Sequence, residues 1–190
     1  MESALPTSTR DRILEAGCRC FARAGRDGVS MRQLAAETRL TLPTLYHHFA
    51  DKRALYASCV SHVLESAERD LRDALQAEGG PKTRLRRFTM AMCIHLLGPR
   101  ALLPFVQMES IHGNDPLLRV VPQDLRDAIH AMCDADDANA AMPLDAAERL
   151  IAVTFGYALV ARAAPGRPAP DWARLADSLL LAARAAAAAI

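Results

Sequence analysis

The amino-terminal fifty residues are divided into short segments by polar side chains that can begin a helix. These residues are Ser8, Ser30, Thr41 and Asp51. Side-chain oxygens of Ser, Thr and Asp accept hydrogen bonds from the free amides of a first helical turn. Ser30 and Gln33 have the spacing of a capping box, in which each side chain binds the other residue's backbone amide. The spacing therefore predicts a supporting helix over about 8–24 and two short helices over about 30–37 and 41–49, ahead of a longer one.

The rest of the chain has the composition of a helical protein. Ala, Leu and Arg are abundant and favour helices, whereas no alternating segment rich in Val or Ile indicates a strand. Glycine and proline clusters separate further helices, which we place at about 51–77, 82–97, 100–112, 117–135, 144–164 and 170–188. Pro122 should break or kink the fourth of these. The predicted fold is all-α with about nine helices, in a three-helix domain over 1–56 and a larger helical domain over 57–190.

The sequence disfavours several functional classes. No apolar run reaches the ~18 residues that span a bilayer. The first residues lack a basic start followed by an apolar stretch, so we expect a cytoplasmic protein with no membrane partner. The cysteines show no zinc-finger spacing and are expected to be reduced thiols; they are Cys18, Cys20, Cys59, Cys93 and Cys133. We expect no metal, no cofactor and no catalytic residue.

Charge is distributed unevenly along the chain. Residues 1–56 contain nine Lys or Arg and six Asp or Glu, while the net charge of the whole chain is +1. A basic region suits a polyanionic partner such as nucleic acid. An excess of this size is also common on solvated surfaces, so charge alone does not identify the partner.

The segment TLPTLYHHF at 41–49 has one apolar and one free side. Leu45 and Phe49 are four residues apart and share a face of the predicted helix. Pro43 and His47 project from the opposite side. Two short helices joined by a tight link, after a supporting helix, form a helix-turn-helix pattern. The second helix of such a pair can enter the major groove of DNA.

Two segments, GVSMRQLAAE at 28–37 and LTLPTLYHHFADKRALY at 40–56, follow one further pattern. A Ser-capped helix is followed by a small residue, T-L-Y-x-H-F, a short cap and a lysine. In this, residues 10–57 resemble the DNA-binding domain of the TetR family of bacterial transcriptional regulators. Order, spacing and predicted helical context all agree with the resemblance. It implies that the partner is a double-stranded DNA operator.

The resemblance implies roles for individual side chains. Tyr46 and Lys52 are expected to contact phosphates, and Thr44 is small enough to allow close approach to the backbone. Leu42 and His47 are candidates near base edges, although burial of Leu42 is an equal alternative. The predicted DNA-binding set is Ser30, Arg32, Thr41, Leu42, Pro43, Thr44, Tyr46, His47, His48 and Lys52. The two adjacent histidines diverge by about 100° around a helix, which argues against a metal pair.

One residue departs from the family pattern. Glycine usually occupies the turn between the second and third helices, where this sequence has Arg39. If the turn needs a positive φ, arginine is strained there. Arg39 is therefore either an additional phosphate contact or a plain exposed arginine.

The resemblance also implies an effector pocket and a homodimer in the carboxy-terminal domain. Family dimers pack their last two long helices into a four-helix bundle, here about 144–164 and 170–188. Two-fold symmetry would place the two recognition helices about 34–36 Å apart on a pseudo-palindromic operator. Candidate pocket residues, whose apolar bias favours a hydrophobic or aromatic effector, are Phe88, Met92, His95, Phe105, Met108, Glu109, His112, Phe155 and Tyr157.

The predicted function is a homodimeric repressor that a small-molecule effector releases from its operator. Two alternatives stay open. A small helical enzyme would have to use Cys93 with His95, or Glu109 with His112, although no nucleophile motif or phosphate loop supports it. A protein that coats DNA without sequence preference should be more basic than a pI of 7.7.

Overall fold

The structure, a computed structural model, describes residues 8–98, 104–105, 121–134, 146–162 and 171–188. Across these residues the only regular secondary structure is α-helix. The helices are α1 (Thr9–Ala24), α2 (Met31–Thr38), α3 (Leu42–His48), α4 (Lys52–Gln76), α5 (Pro81–Leu97), α6 (Gln123–Asp134), α7 (Ala146–Arg162) and α8 (Trp172–Ala188). The all-α prediction is thus confirmed. The predicted helix at 100–112 lies almost entirely outside the described residues. We refer to α1–α3 as the head and to α5–α8 as the body.

Each of the first four helices begins directly after its predicted capping residue. The side-chain oxygen accepts from the amide three residues later at 3.1 Å for Ser8, 3.2 Å for Ser30, 3.3 Å for Thr41 and 2.7 Å for Asp51. At Ser30 the capping box is complete, because Gln33 Oε1 accepts from the Ser30 amide at 2.7 Å. The starts of these four helices are therefore set by local hydrogen bonds, as their spacing predicts.

The close packing of α1 against the start of α4 supports the head. A methyl group at Gly17 would lie 2.9 Å from Cys59 Sγ, so only a residue without a side chain allows this approach. The Cys59 thiol donates to Leu14 O at 3.6 Å. Phe21 meets Tyr56 edge-on, with ring centroids 5.2 Å apart. These contacts hold α1 against α4.

Helix α4 joins the head to the body without interruption. Its 25 residues span about 37 Å at 1.5 Å per residue. Leu71 and Leu75 in its second half belong to the same buried cluster as Leu34 and Leu45 in the head. The predicted domain boundary after Tyr56 thus falls inside one helix whose apolar side is buried along its length.

The body packs α5 against α4, α7 and α8, and α7 also contacts α6. Arg72 on α4 binds Asp124 on α6 at 2.8 Å. Helix α6 begins at Gln123, directly after Pro122, so a break at this proline is what the structure has and a kink within α6 is not. Proline precedes the first turn, where a missing amide costs nothing. Residues 117–120 of that predicted helix lie outside the described part of the chain. None of the described helices is long and apolar enough to cross a membrane.

Candidate nucleic-acid interface

The turn between α2 and α3 is built on a left-handed residue. Arg39 has φ 55° and ψ 38°, and it is the one described residue other than glycine with a positive φ. The Arg39 amide donates to Ala36 O at 3.2 Å, and the Leu40 amide to Ala35 O at 3.0 Å. These bonds close the end of α2 and turn the chain sharply into α3. The positive φ considered at this position is therefore present.

This turn is also tied to α1. Arg12 Nη2 donates to Thr38 O at 3.2 Å, and the Thr38 hydroxyl donates to Leu34 O at 2.8 Å. Arg12 thereby donates to the Thr38 carbonyl, which has no amide partner at the end of the helix. Sequence reasoning missed Arg12, because its partner is 26 positions away and no local pattern connects the two.

Helix α3 has a buried and an exposed side. Leu45 is fully buried, and Phe49 at the carboxyl end is 4% exposed. The Arg10 guanidinium lies 5.1 Å from the centre of the Phe49 ring. On the other side Pro43 and His47 are exposed. Leu45 and Phe49 therefore hold α3 in place while its outer side chains stay at the surface. Arg10 was also missed by sequence reasoning, again because its partner is distant in the chain.

Several residues of the predicted DNA-binding set lie around this exposed side. Tyr46 is 47% exposed, an unusual fraction for a large aromatic side chain. Thr41 and Thr44 share a hydroxyl–hydroxyl hydrogen bond of 2.7 Å at the start of α3. Lys52 is half-buried at the start of α4, and Arg32 is exposed in the first turn of α2. Surface placement leaves these side chains available to a partner.

Three other members of the predicted set are engaged within the protein. The exposed Ser30 hydroxyl takes part in the capping box and donates to Gln33 Oε1 at 2.9 Å. Leu42 is half-buried and packs against the core cluster. His48 is half-buried, with its ring edge-to-face to His47 at 5.3 Å. Across the described residues no three His, Cys, Asp or Glu side chains come together as a metal site.

The described members of the predicted pocket set lie in different environments. Four of them belong to the buried core cluster: Phe88, Met92, Phe105 and Phe155. His95 is bound to Asp70, with 2.8 Å between Nε2 and Oδ2, and Tyr157 is half-buried. Met108, Glu109 and His112 lie outside the described residues.

A cleft of about 390 Å³ opens between α5 and α8. Its walls are formed by residues outside the predicted pocket set, namely Lys82, Leu85, Arg86, Asp177, Leu180 and Leu181. Arg86 and Asp177 form an ion pair across it, with 2.6 Å between Nε and Oδ1. Sequence reasoning had no means of finding this cleft, because its two helices are about 90 residues apart in the chain.

Four cysteines are free thiols, namely Cys18, Cys20, Cys59 and Cys93. Burial raises the pKa of Cys93 to about 12, so its thiol stays protonated at neutral pH. The pKa of Cys59 is raised well above its ordinary value, chiefly by the hydrogen bond with Cys18 and then by burial. A protonated thiol is a poor nucleophile. His95 is bound to Asp70, and two positions along a helix differ by about 200° around its axis, so His95 and Cys93 project in different directions from α5.

Known proteins share this head in sequence. The sequence pattern described as "Bacterial regulatory proteins, tetR family" matches residues 13–59. The HTH-type transcriptional repressor AcnR of Corynebacterium glutamicum is 41% identical over 51 residues, which are 27% of each chain. The matched part thus spans about a quarter of the length of that curated relative. The resemblance of the head to the TetR family is confirmed over residues 13–59.

Solved structures share the architecture of the whole chain. A TetR-like transcriptional regulator from Rhodococcus sp. RHA1 superposes with a TM-score of 0.75 at 21% identity, covering 98% of this chain and 100% of that one. AibR in complex with isovaleryl coenzyme A and operator DNA superposes with a TM-score of 0.65 at 19% identity, covering 91% and 96%. Head and body together therefore have the fold of TetR-like regulators.

Proposed function

We propose that this chain is a homodimeric transcriptional repressor that binds a pseudo-palindromic operator through α3 and is released by a small-molecule effector. The observation that carries the proposal is the two-sided character of α3. Leu45 is buried while Tyr46 and His47 are exposed, on a helix only seven residues long. Such a helix can present its outer side chains to the major groove.

Within this proposal the DNA-binding residues divide into two groups. Phosphate contacts are proposed for Arg32, Thr44, Tyr46 and Lys52, beside the helix caps Ser30 and Thr41. They would position the protein on any DNA sequence. Leu42, Pro43 and His47 would lie near base edges, where the two apolar side chains can pack on a thymine methyl group. The half-buried His48 would fix the position of its neighbours.

A second copy of the chain is proposed to cover α7 and α8. Val160 is 70% exposed, Leu159 44% and Leu181 69%. Exposed apolar side chains of this size favour a partner surface because water hydrates them poorly. At Gly156 a methyl group would meet nothing within 4 Å, so a partner helix has room to approach there. Helices of the two copies would then form the four-helix bundle.

The dimer is tested by placing a charge at its proposed centre. Val160→Glu should give a monomer by light scattering, because the carboxylate would be buried without a partner. Gln76→Glu introduces a similar charge at an exposed position on α4 and should leave the wild-type mass unchanged. A dimeric Val160→Glu protein would remove α7 from the proposed interface.

The effector is proposed to be hydrophobic or aromatic and to act from the body. AibR, which shares the fold, has been solved with both an acyl-coenzyme A and operator DNA. In this chain Phe105 packs on Tyr56 at 5.9 Å, and Tyr56 packs on Phe21 of α1 at 5.2 Å. A ligand that moved Phe105 would therefore press on the helix that supports the head. Such a ligand must bind the DNA-competent and DNA-free geometries with different affinity.

DNA binding is tested by measuring affinity for duplexes selected from random sequence, over a range of salt concentrations. Tyr46→Phe and Lys52→Ala should weaken binding to all duplexes about equally, and Lys52→Ala should make the salt dependence shallower. Leu42→Ala and His47→Ala should change which duplexes are preferred. Equal binding of the wild type to selected and scrambled duplexes would favour the coating protein instead.

A further inference from the structure

Arg39 occupies a backbone conformation that favours glycine. With φ 55° and ψ 38° it lies in the left-handed region, where an L side chain crowds the following carbonyl group. Helix ends often contain one such residue, and it is usually glycine or asparagine. An arginine at this place is therefore strained relative to glycine.

The described protein gives no visible compensation for this strain. The bonds that close the turn run from the backbone amide of Arg39 to the carbonyls of Ala35 and Ala36, and glycine would make them equally well. The Arg39 side chain is exposed. Within the described residues no hydrogen bond or ion pair involves its guanidinium. Strained residues persist where the surrounding structure or a function requires them.

The turn that carries Arg39 lies beside the proposed DNA-binding surface and is fixed in position. Arg39 lies two residues before Thr41, the cap of α3, so the two Cα atoms are at most about 7.6 Å apart. Arg12 on α1 binds the carbonyl of Thr38 directly before it. The turn is thus anchored on one side and adjoins the amino end of the recognition helix on the other.

We propose that Arg39 is a phosphate-binding residue whose guanidinium grips the DNA backbone beside the groove that α3 enters. Two parallel N–H groups of a guanidinium match two phosphate oxygens, and its charge persists at any physiological pH. The backbone strain is then compensated in the complex and not in the free protein. This inference rests on the DNA-binding function proposed above and assigns to it a residue outside the predicted contact set.

Replacement by glycine should separate the two effects. In a dimer each operator meets two copies of Arg39. Losing both phosphate contacts should make the slope of log affinity against log salt shallower by about 1.8, which corresponds to about 30-fold weaker binding at 0.15 M salt. The same Arg39→Gly change should raise the unfolding temperature by about 2 °C, because relief of strain outweighs the added freedom of the unfolded chain.

The experiment uses the full-length protein and a labelled duplex that the wild type enriches from random-sequence DNA. Anisotropy titrations from 50 to 300 mM salt are run beside thermal unfolding for the wild type and three variants. Arg39→Lys keeps the charge, so its slope should match the wild type while its affinity falls. Arg69→Ala removes an exposed charge on α4, 17 residues beyond Lys52 or about 25 Å along the helix, and should change neither the slope nor the affinity.

Each outcome decides the proposal. A more stable Arg39→Gly protein with a shallower slope supports it. A wild-type slope for Arg39→Gly, a slope for Arg39→Lys as shallow as that for glycine, or a lower unfolding temperature for Arg39→Gly would each overturn it. If the wild type still selects its duplex in those cases, the repressor function stands. If the wild type selects no duplex at all, both proposals fall together.

Discussion

The head and the body differ in how their helices begin. In the head, and at the start of α4, four consecutive helices follow a Ser, Thr or Asp whose side chain accepts from the first turn. In the body, α5 follows Gly80 with no side-chain cap, and α6 follows Pro122. Helix α8 is capped by a side chain in the same way as the helices of the head, because Asp171 Oδ1 accepts from the Ala173 amide at 3.1 Å.

The difference reflects helix length and exposure. Helices α2 and α3 have eight and seven residues, too few to be stable alone. Caps define their ends, and a few buried side chains hold them, so their outer sides can stay polar and free for a partner. The helices of the body are 12 to 17 residues long and bury more apolar surface against each other. These helices depend less on capping side chains because packing against their neighbours stabilises them.

The largest expected effect tests how few contacts hold α3. Leu45→Ala should lower the free energy of unfolding by about 3 kcal/mol, because a fully buried side chain would leave a cavity. Leu42→Ala on the same helix is the control. Its half-buried side chain should cost less than half as much. Urea unfolding followed by circular dichroism measures both, and equal costs would mean that α3 is not held chiefly by Leu45.

A smaller effect tests the junction between α1 and α4. In a Cys59→Ala background, Gly17→Ala should stabilise the protein by about 1 kcal/mol, since alanine is the better helix former. In the wild type the added methyl group meets Cys59 Sγ at 2.9 Å, so this gain should be lost or reversed. The coupling in the double-mutant cycle should be about 1–2 kcal/mol. Additive effects would show that α1 can shift away from α4 at little cost.

Removing the side-chain cap of α2 should destabilise the head. Ser30→Ala is expected to lower the free energy of unfolding by about 1 kcal/mol, because the Gln33 amide in the first turn of α2 loses its side-chain partner. Ser30→Thr keeps the hydroxyl and should retain most of the stability. Thermal unfolding of the two variants checks this, and an unchanged melting temperature for Ser30→Ala would contradict the role given to the cap.

The smallest effect lies in the body, where a cap can be added. Gly80→Asp should raise stability by only a few tenths of a kcal/mol, since glycine is already an acceptable residue at that position. A side chain there meets nothing within 4 Å, and the Thr83 amide lies three residues on. Denaturant unfolding provides the measurement. A gain as large as the loss from Ser30→Ala would remove the contrast between head and body.

The parts of the candidate site that depend on residues three or four positions apart were predictable from the sequence. Ser30 with Gln33, Thr41 with Thr44 and the Leu45–Phe49 pair are separated by three or four residues, so helix geometry alone relates them. Arg10 over Phe49 and Arg12 at Thr38 were not predictable, because the partners are brought together by packing. The cleft between α5 and α8 was not predictable either, nor was the residue that binds the His95 side chain.

The sequence by itself determined the all-α class, the starts of the first four helices, the unusual residue at the α2–α3 turn and the resemblance of the head to the TetR family. Each follows from side chains within a few positions of one another, where chain geometry leaves few alternatives. Only the tertiary structure decided that Phe88 and Met92 are closed into the core, that Pro122 precedes α6 and that Val160 and Leu181 remain exposed. Those outcomes depend on which distant helices meet and how much surface each contact removes from water, and local spacing carries no record of either.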